Sequence, residues 1–229
     1  MGAKLTWLGH GGWSIETGEH AVLLDPFITE CPTATAKIDE IAADFILVSH
    51  GHFDHIHDVP AIANRTGATV VAIYEIALWL ANNHKVENTV GMNIGGGVQL
   101  PFGHVKMTQA MHSSQLPDGT YGGEPAGFLL RIGDETMYFA CDTGLFSDMQ
   151  LIGKSGVDLA VLPIGDLFTM GLKDSIAAVH LISPKKVAPA HYGTWPPIEQ
   201  DAEEWARYVM TETQSQPIVP KVGEAFEIS

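Results

Sequence analysis

Short apolar runs recur along the chain, and several of them stop at a side chain that binds metals. "DFILVSH" (44–50) opens onto His50, His52, Asp54 and His55, "VKMTQA" (105–110) runs into His112, "TMYFA" (136–140) into Asp142, and "KKVAPA" (185–190) into His191. Bounded by Gly, Pro, Asp or Asn, these runs have the length and residue types of strands. A solvated polar turn would account for "SHGHFDH" alone. It does not explain why the later histidines and aspartate also follow strands.

Between the strand-like runs lie segments with helical spacing. The pattern predicts helices over Val59–Arg65, Glu75–Ala81, Ser175–Ile182 and Glu199–Met210, the third behind Asp174 as N-cap. The order reads as β-rich at first and β/α alternating later. "IGGGV" (94–98) has no Lys-Ser/Thr and no helix after it, so it reads as a tight turn rather than a phosphate loop. With no Pro-rich or Ser-rich linker and no repeat, residues 1–229 are expected to form a single domain of sheets covered by helices.

Twelve Lys and Arg against 27 Asp and Glu give a formal charge of −15. That charge repels phosphate backbones and anionic lipid, so neither nucleic acid nor membrane is an expected partner. Cys31 and Cys141 are too few for a disulfide framework. The N-terminus carries no signal-peptide pattern and no apolar run is long enough to span a bilayer, so a cytoplasmic protein is expected.

The donors suit two neighbouring ions. His50, His52 and His112 would hold one, Asp54, His55 and His191 the other, and Asp142 would be shared; in a continuous strand His50 and His52 would lie on one face. Imidazole and carboxylate without thiolate suit two divalent metal ions per chain, with zinc as first candidate and Mn, Fe, Ni or Co as alternatives.

"HGHFDH" (50–55) resembles the H-x-H-x-D-H signature of the metallo-β-lactamase superfamily, with His112, Asp142 and His191 following in the superfamily's order. "TWLGHGGWSIE", "LLDPF", "CDTGLFSDM", "GDLFTMG" and "HYGTWP" look like a group of metal-dependent hydrolases close to the ascorbate-6-phosphate lactonases. The likeness runs from Leu5 to the C-terminal "EAFEIS". It implies an α/β fold, a four-layer αβ/βα sandwich of two mixed sheets packed face to face, with helices outside and metals at one edge. It also lends the ligand assignment just given. Redox relatives with a di-iron centre tend to carry Glu where His52 stands, so His52 implies a hydrolase.

Asp54 is expected to be both ligand and catalytic residue, orienting a metal-activated hydroxide, and His10 is the catalytic candidate for protonating a leaving group. Metal-bound water is the alternative source of that proton; the resemblance implies that His10 faces the metal pocket, supporting a ligand or touching substrate, with a satisfied turn histidine as the equal alternative. Asp25 is expected to orient a ligand or form a turn, Asp58 to cap a helix, and Cys141 to be a small strand-end residue. Asp166, Thr169, Met170 and Trp195 are candidates for substrate contact. The function expected is hydrolysis of a small ester, lactone or phosphoester. A nuclease or phosphodiesterase on the same scaffold and a non-enzymatic metal or metabolite sensor are the alternatives. A small-molecule substrate is the expected partner; assembly into a homo-oligomer is left open.

Overall fold

The structure, a computed structural model, describes residues 2–228. Strands β1 (Lys4–Gly9), β2 (Gly12–Glu16) and β3 (Ala21–Leu24) form an antiparallel meander, to which β4 (Phe45–Leu47), β5 (Thr69–Ile73) and β6 (Thr89–Met92) add in parallel. A second sheet repeats that plan. Its strands β7 (Gly97–Leu100), β8 (Gly103–Gln109), β9 (Ala126–Ile132) and β10 (Glu135–Phe139) are antiparallel, and β11 (Leu159–Pro163), β12 (Lys186–Ala190) and β13 (Gln216–Pro217) follow in parallel. Strand β14 (Ala225–Glu227) returns to pair with β1, giving two seven-stranded mixed sheets.

Parallel neighbours need crossovers, and helices supply most of them. A short α1 (Phe53–Ile56) and α2 (Val59–Thr66) lie between β4 and β5, and α3 (Tyr74–His84) between β5 and β6. In the other half α4 (Met149–Gly153), α5 (Leu172–Ile182) and α6 (Ala202–Glu212) separate β10, β11, β12 and β13.

Alternation along the strands builds the layers. In β10, Met137 and Phe139 face a buried cluster shared with Leu5, Trp13, Ile15, Leu24 and Leu47 of the first sheet, Trp13 meeting Phe139 at 6.2 Å between ring centroids. Tyr138 between them points the other way, into a second cluster with Met149, Ile176 and Trp205 from the three later helices. The first cluster fills the interior between the sheets and continues onto the outer side of the first sheet, where Ile62 of α2 and Leu80 of α3 join it; the second packs helices on the outer face of the second sheet. This is the sandwich that the sequence resemblance implies.

Four local expectations shift. The β/α alternation occurs in both halves, because the first sheet also has parallel strands. Helix α5 begins two residues before Asp174; Gly171, in extended conformation, is its N-cap, and Asp174 lies in the first turn. Glu199 lies outside α6, whose N-cap is Asp201, accepting from the Glu204 amide at 2.9 Å. Strand β4 ends at Leu47, so His50 and His52 lie on the loop beyond it rather than on one strand face. The tight turn at "IGGGV" is present, closed by the Gly96 amide on the Asn93 carbonyl.

Candidate metal centre

The strand ends of both sheets meet at one edge, and the seven donors named above converge there. His50 and His52 come from the β4–α1 loop, Asp54 and His55 from α1, His112 from beyond β8, Asp142 from beyond β10, and His191 from the end of β12. His50, His52 and His112 place ring nitrogens together, with His50 Nε2 at 2.9 Å and His112 Nε2 at 3.2 Å from His52 Nδ1. Beside them Asp54, His55 and His191 form another group, which also includes His10. Between the two stands Asp142. Its Oδ2 lies 2.9 Å from His191 Nε2, 3.4 Å from His55 Nε2, 3.6 Å from His112 Nε2 and 3.9 Å from His50 Nε2.

These separations test whether the donors fit an ion. Ligands about 2.1 Å from a common metal stand about 3.0–3.4 Å apart in octahedral or tetrahedral geometry. The donor spacings bracket that range. His55 supplies a second test: its Nδ1 is 2.9 Å from Asp25 Oδ2, while its Nε2 is buried, without a hydrogen-bond partner, and turned toward Asp54 and Asp142 at 3.8 and 3.4 Å. A buried ring nitrogen left unpaired and turned toward two carboxylates fits the role of a metal ligand.

The carboxylates make the site one for positive charge: burial pushes His55 down, but Asp142, Asp54 and Asp25 outweigh it and hold the ring well above the ordinary histidine value, a proton standing where a cation would. Burial pushes the Asp142 carboxyl up, but His191 and His55 outweigh it and hold the group well below the ordinary carboxylate range. Asp54 is likewise kept anionic, burial being overcome by His55 and by the hydrogen bond from His10. Burial, then the charge on His55, drives His50 well below the ordinary histidine value, leaving its ring neutral and able to donate a lone pair.

Asp25 and His10 form the supporting layer. Asp25 Oδ1 accepts from the Ser49 amide at 2.8 Å and Oδ2 from the Ser49 hydroxyl at 2.5 Å, so one carboxylate fixes both His55 and the start of the His50 loop. His10 is wholly buried, with Nε2 2.8 Å from Asp54 Oδ2 and Nδ1 2.8 Å from Thr194 Oγ1. Burial, with His191 adding, pushes its pKa down to about 4, so the ring is neutral near pH 7. The consistent arrangement has the Thr194 hydroxyl donating to Nδ1 and Nε2–H donating to Asp54. Its place is behind Asp54.

Ser49 and Thr194 carry no recognisable signal in the sequence, since a hydroxyl beside a histidine is common. Asp58 precedes α2 as expected, but its side chain does not cap the helix. It accepts from the amides of Ile28 and Thr29 and from the Thr29 hydroxyl, at 2.6, 2.9 and 2.5 Å, and so anchors the loop after β3. Four non-glycine residues bounding the site, His10, Asp25, Cys141 and His191, have positive φ. Each such conformation costs about 1–3 kcal/mol, and such strain clusters at functional sites.

The donors open onto a cleft of about 280 Å³. His52, Asp54, His112 and Asp142 line its floor together with His191, and Ser113, Phe168 and Trp195 complete it. Asp166, Thr169 and Met170 are not among its lining residues; Met170 is wholly buried. A narrow recess of about 10 Å³ lined by Asp25, His55, Asp142 and His191 has room for no more than a water.

Residues 20–192 match the beta-lactamase superfamily domain. A UPF0173 metal-dependent hydrolase of Pelotomaculum thermopropionicum is 44% identical over 230 residues, covering 98% of this chain and 100% of the relative. The chain belongs to the metallo-β-lactamase superfamily. Among its relatives in that superfamily, a UPF0173 metal-dependent hydrolase of Bacillus subtilis is 46% identical, covering 89% of this chain and 91% of the relative. The solved structure of Igni18, a metallo hydrolase of the archaeon Ignicoccus hospitalis, superposes with a TM-score of 0.88 at 33% identity, covering 99% of each chain. This superfamily member is a metal-dependent hydrolase. Among the described residues, no helix is long and apolar enough to cross a membrane.

Proposed function

We propose that the protein hydrolyses a small ester, lactone or phosphoester with two divalent ions, one held by His50, His52 and His112, the other by Asp54, His55 and His191, with Asp142 shared. The observation that carries this reading is the position of Asp142 Oδ2, within 3.9 Å of ring nitrogens from both donor groups. Zinc is the first candidate for His and carboxylate donors without thiolate, with Mn, Fe, Ni or Co as alternatives.

Bound there, such ions supply Lewis acidity and bring the pKa of water down to about 7. The chain's own groups do the rest. Asp54, one-fifth exposed at the cleft floor, is the carboxylate placed to accept a hydrogen bond from the attacking water and orient it. His10 acts as a positioning residue: its Nε2–H holds Asp54 Oδ2, and Thr194 holds His10. Because His10 is wholly buried behind Asp54, a proton for the leaving group must come from the cleft side. Asp25 locks His55 with Nε2 facing the site.

The formal charge of −15 favours a small-molecule substrate over nucleic acid. The two free cysteines accord with a cytoplasmic setting, and the absence of a linker with one domain over residues 1–229. The test is a screen of carboxylic esters, lactones and phosphodiesters with metal-loaded, chelator-stripped and Asp142→Asn protein. Turnover confined to the loaded wild type supports the reading; equal turnover by a verified metal-free preparation overturns it.

A further inference from the structure

The cleft has a chemistry of its own apart from its metal donors. None of its lining residues is Lys or Arg, and Ser113 is its only neutral hydroxyl. A substrate bringing a phosphate or carboxylate would find no side-chain cation to meet it, so that only ions held by the donors could face its charge, without the Arg or Lys that commonly assists in such sites. The protein's formal charge of −15 opposes the approach of an anion as well.

The remaining walls are aromatic. Trp195 stands on the buried Phe27, with ring centroids 6.0 Å apart, and Phe53 packs edge-on against the same Phe27 at 5.4 Å. Phe168 comes from the 165–171 loop. That loop is pinned at its base, where Asp166 N donates to the Met170 carbonyl and Met170 N to the Thr143 carbonyl, both at 3.0 Å. Its tip is left uncovered: Leu167 is 66% and Phe168 56% exposed, while Met170 beside them is wholly buried. A fixed turn that displays a phenyl ring at the mouth of a reactive cleft offers a surface for an apolar group. At about 280 Å³ the space admits only a small molecule.

We propose that the cleft takes an uncharged carboxylic ester or lactone carrying an aromatic or branched apolar group, which lodges against Phe168 and Trp195. This rests on the hydrolase reading above and names its substrate class. Water adds to the acyl carbon, the acyl carbon–oxygen bond breaks, and one proton of the water passes to the leaving alkoxide and the other to solvent, giving a carboxylate and an alcohol from an ester, or a single hydroxycarboxylate from a lactone, with no other reactant.

The experiment compares 1-naphthyl acetate with 1-naphthyl phosphate on zinc-loaded wild type, Phe168→Ala and, as a surface control, Leu151→Ala on α4. In parallel it measures binding of 2-acetylnaphthalene, a neutral ketone that is not hydrolysed, to loaded and stripped protein. Expected are turnover of the acetate in preference to the phosphate, and a rise of about tenfold in KM and in the ketone's Kd in Phe168→Ala with kcat little changed. Leu151→Ala should match wild type. Preference for the phosphate, no binding of the ketone, or an unchanged KM and Kd in Phe168→Ala overturns the inference. The outcomes separate the two ideas: metal-dependent turnover of the phosphate alone leaves the hydrolase standing and removes the neutral substrate. Turnover by stripped protein removes the metal reading, and the ketone's Kd still decides the aromatic subsite.

Discussion

Asp25 grips His55 from behind: Asp25 Oδ2 lies 2.9 Å from His55 Nδ1, both side chains are buried, and the imidazole is left with Nε2 facing the other donors. In Asp25→Asn, Oδ1 must remain an acceptor for the Ser49 amide, so the new NH₂ falls where Oδ2 was. It would then face Nδ1, force that nitrogen to accept, and move the ring proton to Nε2, removing the lone pair. Metal affinity should fall by about 100-fold, the upper end for loss of a ligand's supporting group. Elemental analysis after dialysis against graded metal buffers checks this, and wild-type occupancy in the variant would refute it.

Gly11 is the second point of control. A Cβ built there would stand 2.9 Å from His55 Cε1, and the residue does not have the positive φ that would strain a side chain by itself. Gly11→Ala therefore displaces the His55 ring by a few tenths of an ångström without remaking the turn. Hydrolysis should drop by about tenfold or more, since small misplacements at a reactive centre are costly. The thermal midpoint should move by less than about 4 °C, the scale of 1 kcal/mol in a chain of this size. The d–d spectrum of cobalt-loaded protein reports the altered coordination; a spectrum and rate matching wild type would count against it.

Much of this site was legible in the chain because strand ends and donor residues coincide. β8, β10 and β12 stop within three residues of His112, Asp142 and His191, so apolar periodicity located the later donors as well as the opening cluster. Pairing order was not legible from the runs themselves, since each sheet changes from antiparallel to parallel at a point that no local residue marks. Nor were Ser49, Thr194 and the real partners of Asp58, whose hydrogen bonds reach side chains or backbone that only folding brings near. The left-handed His10, Asp25, Cys141 and His191 were hidden for a different reason: tertiary contacts hold them in conformations that their own preferences oppose. His10 shows how: its carbonyl accepts from both Trp7 Nε1 at 2.9 Å and the His191 amide at 3.0 Å, tying the two sheets together at the site.

Metal removal should abolish activity yet leave the sandwich, because the buried apolar clusters between the sheets and under the helices hold it together while the donors sit at one edge. Far-ultraviolet circular dichroism of chelated protein should match the loaded form. Its thermal midpoint should fall, since an ion that binds only the native state adds about 2.7 kcal/mol when present at 100 times its Kd. Titrating metal back should restore activity with a break near two equivalents per chain. A break near one would leave the second donor group without a role.

Trp205 separates stability from chemistry. It is wholly buried on α6 and donates from Nε1 to Ser175 Oγ of α5 at 3.0 Å, joining two helices on the outer face of the second sheet. Removing the indole in Trp205→Ala should cost about 3–5 kcal/mol through the cavity it leaves. Ser175→Ala keeps the packing and orphans only the buried Nε1, so its cost should be about 1–3 kcal/mol. Neither change touches the donors. In urea melts the two variants should therefore rank in that order, while hydrolysis per folded molecule stays at the wild-type level; a Ser175→Ala variant as unstable as Trp205→Ala would mean that the hydrogen bond, and not the packing, joins α5 to α6.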